Sequence, residues 1–159
     1  LYTTINKGNK AFASGSWDDA IEAYSKASEL MISSQSNPNE TASNSNIRKL
    51  GRIILQASII RDSQAIHAML ENDDFLNAKR TYQQILNDIN KSTFRTEEEF
   101  INTSVETSAA IKSLDEKMFL RTKVEYLKDN YQSLFTANYP AAAPENLTNP
   151  QVTKTKETE

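Results

Sequence analysis

From Arg52 to Tyr139 the chain contains neither Gly nor Pro. A breaker-free stretch of that length, rich in Leu, Ile, Ala, Lys, Glu and Gln, leaves room for helices and little else. Strand-like alternation of apolar and polar residues is absent throughout. The breakers Gly8, Gly15, Gly51, Pro38, Pro140, Pro144 and Pro150 do most of the punctuation. The expected fold class is therefore all-α.

The spacing predicts a first helix over residues 2–14 and a second from Trp17 to about Ser33. Asp18 and Asp19 fall in the second helix's first turn, where the macrodipole favours negative charge. Residues 34–46 are mostly Ser, Asn, Gln and Thr with one Pro, and a mobile polar loop is expected there. A long helix should follow from Ile47 to Asn72, with Leu50, Ile53, Ile54, Ala57, Ile60, Ile66 and Leu70 as apolar positions. Asn72-Asp73-Asp74 reads as a turn, and the next helix begins at Phe75. Beyond it, Thr96 is expected to cap one helix and Ser113 or Asp115 another, for about six helices in all. A domain over 1–136 and a disordered tail over 137–159 complete the expected organisation.

The stretch from Gly8 to Ala27 carries the clearest pattern. Gly8 would let a neighbouring helix approach closely, and Gly15 suits the left-handed residue that ends a helix. Trp17, Ala20, Ile21, Tyr24 and Ala27 then recur at helical spacing as one apolar stripe. A second copy lies downstream. With Phe75 set under Trp17, Ala78 falls under Ala20, Tyr82 under Tyr24 and Ile85 under Ala27.

This order resembles a tetratricopeptide repeat, clearly over residues 2–33 and again over 59–92. The resemblance implies antiparallel helical hairpins stacked into a short array, a non-enzymatic scaffold that binds a peptide or a partner helix in its concave groove. In such arrays the first helix of each pair lines that groove. On this reading Tyr2, Ile5, Asn9 and Phe12 line it in the first repeat, and Ile60, Ser63, His67 and Leu70 in the second. Asn9 matches a residue that grips a peptide's terminal carboxylate in chaperone-binding members. Those members carry Lys one turn earlier, where this chain has Ile5, and a second Asn where it has His67.

Composition narrows the alternatives. A net charge of −3 with scattered Lys and Arg gives no electrostatic reason to expect nucleic acid or an anionic membrane as partner. The chain has no Cys and one His, so no disulfide, no zinc site and no cofactor are expected. No phosphate-cradling Gly loop or nucleophile elbow is present, and carboxylate pairs such as Asp18/Asp19 and Asp73/Asp74 fit helix starts, so no enzyme is expected. No apolar run approaches the roughly 20 residues of a membrane span. A chain opening on Leu1 inside a helix reads as part of a larger protein. An extracytoplasmic domain of a bacterial envelope protein, a cytosolic co-chaperone or adaptor, and a homodimer paired through exposed apolar ends are the settings weighed.

Overall fold

The structure, a computed structural model, describes residues 1–34 and 41–138, with side chains over 1–34 and 44–132. Five helices and no strand occur among the described residues. They are α1 (Tyr2–Ala13), α2 (Trp17–Ser33), α3 (Thr41–Glu71), α4 (Phe75–Lys91) and α5 (Glu98–Asn138). The all-α expectation is met, and the differences lie in where helices start and how many there are.

Helix α3 begins at Thr41 rather than Ile47, so residues 41–46 of the expected loop are helical. Extending an existing helix costs little per residue, which lets Asn44, Ser45 and Asn46 join it while remaining exposed. Residues 35–40 of that loop, and the tail from 139 on, lie outside the described residues.

The expected break at Ser113 or Asp115 is absent. α5 runs through both as one helix, making five helices rather than six among the described residues. Neither residue acts as a cap: Ser113 is exposed, and the Asp115 carboxylate accepts a hydrogen bond from Lys79 Nζ of α4. Between them, Leu114 is buried in a hydrophobic cluster, which holds the helix straight through. Thr96 does not cap α5 either. The amide of Ile101 donates to the carbonyl of Glu97, which makes Glu97 the residue at the helix start.

α1 packs on α2, α2 on α3, and α3 on α4. The turns 14–16 and 72–74 have the same length and share two hydrogen bonds. In the first, the Gly15 amide donates to Phe12 O (3.2 Å) and the Ser16 amide to Ala11 O (2.9 Å). In the second, Asp73 donates to Leu70 O (3.2 Å) and Asp74 to Met69 O (2.9 Å). Gly15 sits at φ +74° and Asp73 at φ +57°, both in the left-handed region that closes a helix end. The turns differ at their first residue, where the Ser14 amide donates to Lys10 O and the Asn72 amide to Met69 O.

Two hydrophobic clusters form the core. The first gathers Ala20, Tyr24, Ala27 and Leu50, with Ile53 and Ile54 of α3 packed against it. The second gathers Leu55, Ile66, Ala78, Ile85, Ile89, Phe94, Phe100 and Leu114. α3 contributes to both, so it is a shared wall. Ala20 and Ala78, aligned in the sequence, are both fully buried.

Gly8 plays the part the sequence assigned to it. A Cβ there would lie 2.7 Å from Tyr24 Cε1, inside van der Waals contact. Tyr24 is buried, its hydroxyl donates to Asn9 Oδ1 at 2.9 Å, and burial pushes its phenol pKa upward.

Residues 1–118 form one compact unit, and a second begins at Phe119 within α5. In the first unit, α5 buries Phe100, Thr107 and Leu114, spaced one heptad apart. Arg52 of α3 ties down its start, donating to Glu97 (Nε–Oε2, 2.8 Å) and to Glu99. Gln56 joins Glu99 at 2.8 Å, and Arg48 and Arg52 lie over the rings of Phe94 and Phe100.

Candidate partner-binding surfaces

The eight expected groove residues take different environments, with Leu70 packed against the second cluster. Tyr2 is 80% exposed. Ile5 and Phe12 are half-buried and pack against the first cluster, so part of their apolar surface already has a use within the fold. Phe12 also meets Trp17 edge to face, with ring centroids 5.2 Å apart. Asn9 accepts the Tyr24 hydroxyl. Ser63 is exposed and donates back to Ile59 O at 2.7 Å. The side chain of His67 is 79% exposed, with Nε2 3.4 Å from Glu71 Oε1.

Two of the eight reach depressions. Ile5, Met31, Asn46, Lys49 and Leu50 line an open hollow of about 270 Å³ between α1, α2 and the start of α3. Ile60 lines a smaller one of about 100 Å³ with Gln56, Ile59, Glu99, Phe100 and Thr103. Ile5 and Phe12 thus flank one cluster, whereas Ile60 borders the other beside α5.

A third hollow escaped the sequence reading. Gly15, Ser16, Trp17, Asp18, Asp19, Arg61 and Gln64 enclose about 400 Å³ where the first hairpin's turn meets α3. Trp17 Nε1 donates to Gln64 Oε1 at 2.9 Å, and Arg61 Nη1 to Asp18 Oδ1 at 3.0 Å. Arg61 also holds the buried Asp62, at 2.8 Å from Nη2. The hydrogen bond to Asp62 contributes most to raising the Arg61 pKa, so the guanidinium stays charged. A local signal existed: Trp17-Asp18-Asp19 places an aromatic and two carboxylates at a helix start. Their partners on α3 are more than forty positions away in sequence, beyond the reach of local pattern.

The second unit carries a different surface. Leu120, Val124, Leu127 and Tyr131 of α5 are each 48–66% exposed. An open apolar hollow of about 430 Å³ is lined by Val124, Leu127, Lys128, Asn130 and Tyr131. Arg121 pairs with Glu125, and Lys123 lies over the Phe119 ring.

Among the described residues, no three His, Asp or Glu side chains converge as metal ligands. Among them, too, no helix is long and apolar enough to cross a membrane. No family model, curated protein or solved structure matches the chain.

Proposed function

We propose that this chain is a non-enzymatic protein-interaction module, a short tetratricopeptide-like array that takes a peptide or partner helix on the surface formed by α1 and the second half of α3. The repetition of one hairpin carries the reading: a three-residue turn with two matching hydrogen bonds, a left-handed middle residue and a fully buried alanine occur twice. Stacked hairpins of this kind are stabilised by neighbour contacts and leave the outward face of each first helix free to vary. Tyr2, Ser63 and His67 lie on those helices and are exposed. Asn9 contributes by holding Tyr24, and Ile5 and Phe12 by shaping the hollow beside α1. The departures at Ile5 and His67 leave no carboxylate clamp, so the bound segment is an internal peptide or a helix rather than a chain terminus.

Photo-crosslinking tests this. A crosslinking residue at Tyr2 or at His67 should capture the same partner from native extract, and Tyr2→Ala/His67→Ala should release it without changing the circular dichroism. Both substitutions are on exposed side chains, so folding should survive. Capture only at an exposed position elsewhere, such as Lys112, would sink the assignment of this face.

A further inference from the structure

The face of α5 beyond Met118 is bordered by charges that decide what can cover it. Leu120, Val124, Leu127 and Tyr131 follow one another at spacings of four, three and four. That is the alternation of a coiled-coil seam, and the exposed Phe119 and Tyr126 lie outside it, beyond Lys123. All four are largely exposed, and a hollow of about 430 Å³ opens among Val124, Leu127 and Tyr131. Arg121, which pairs with Glu125, and Lys128 border one side of the seam, and Lys123, over the Phe119 ring, borders the other, while Asp129 falls on the far side of the helix. This stripe does not continue the series Phe100, Thr107, Leu114 that the first unit buries.

We propose that residues 120–131 dock an amphipathic helix of a partner protein whose apolar stripe is bordered by Asp or Glu. The bordering charges work against a second copy of this chain. In a parallel pair, Lys123 of one copy would face Lys128 of the other; in an antiparallel pair, Arg121 would face Lys128. Either way like charges meet beside the seam, a cost that acidic borders convert into attraction. The seam's spacing suits a partner helix, and a segment with Arg121, Lys123 and Lys128 set against Glu125 and Asp129 has little net charge to draw it to an anionic lipid surface. This surface is separate from the face of α1 and α3 proposed above and stands whether or not that reading holds.

The experiment uses the full chain and three-heptad synthetic helices with Leu and Ile along the seam. One peptide carries Glu at the bordering positions, the other Lys, and binding is read by fluorescence anisotropy at low and moderate salt. The acidic peptide should bind about tenfold tighter than the basic one, with the preference shrinking as salt rises. Leu127→Glu should abolish binding, and Lys123→Glu/Lys128→Glu should reverse the preference. All three positions are exposed, so the circular dichroism of these variants should match that of the parent. Equal binding of both peptides, or of neither, overturns the proposal. So does sedimentation showing a dimer that Leu127→Glu dissolves, which assigns the seam to a second copy. Binding to phosphatidylcholine–phosphatidylserine vesicles that Leu127→Glu removes, without peptide discrimination, assigns it to lipid and overturns it equally.

Discussion

The two hairpins share a turn and differ at the crossing. In α1/α2 the closest approach is made by Gly8 against the ring of Tyr24, which is 3% exposed. In α3/α4 the position aligned with Gly8 is Ile66, itself 2% exposed, and the aligned Tyr82 is only half-buried. One hairpin removes a side chain to admit a large ring; the other fills the space with an aliphatic side chain and moves the ring outward. The turn and the fully buried alanine are what the two retain. The lesson is that backbone requirements repeat closely, whereas the packing volume can be supplied from either side of the crossing.

The largest test of that equivalence is a charge at the shared alanine. Ala20→Glu and Ala78→Glu should each destabilise by about 4 kcal/mol, because an unpaired carboxylate enters a site with no room for water. Urea unfolding followed by circular dichroism measures it, and a mild effect at one site alone would break the equivalence. The crossing itself comes next. Ile66→Ala should cost about 3 kcal/mol through the cavity it leaves. Gly8→Ala should cost about 2 kcal/mol, because the new methyl displaces Tyr24 by more than its better helix propensity restores. A Gly8→Ala protein as stable as the parent would show that Tyr24 has room to move.

The turns sharpen the comparison at smaller scale. Gly15→Ala should lose about 1 kcal/mol, and Asp73→Gly should gain about half that, because both positions need a positive φ. Thermal melts of the two variants should therefore shift in opposite directions. The smallest effect is expected where α5 is bolted to the second hairpin. Arg52's hydrogen bond holds the Glu97 carboxyl below its usual pKa. Its contribution to stability is thus complete above the unfolded carboxylate range and is lost as pH falls through the depressed value. Glu97→Gln should flatten that acid-side loss in melts taken from neutral pH downward. An unchanged slope would mean that the Arg52 contact does not couple to folding.

Much of the first hairpin was legible because its determinants are local. Gly8, Gly15, Ala20 and Tyr24 lie within one short stretch, each demanding a specific backbone or spacing. The second hairpin was found by alignment, although nothing in Asp73 announced a left-handed residue, since Asp adopts that region less readily than Gly. The start of α3 and the single helix of α5 were misread for one reason. Ser, Thr, Asn and Asp are good caps, but they also sit quietly inside a helix when the chain around them is already helical. At Asp115 the deciding partner was Lys79, on a different helix. The expected groove residues were chosen by helix position alone, whereas the polar hollow beneath Trp17 depends on Arg61 and Gln64 arriving from far along the chain.

Trp17 is the chain's one tryptophan, and it stands at the junction between the first hairpin and α3, held by Gln64 and edge-on to Phe12. The molecule therefore carries an intrinsic optical reporter of a single event, the separation of that hairpin from the shared wall. Its emission should respond when the hairpin lifts away, even while every helix keeps its hydrogen bonds and the circular dichroism stays constant.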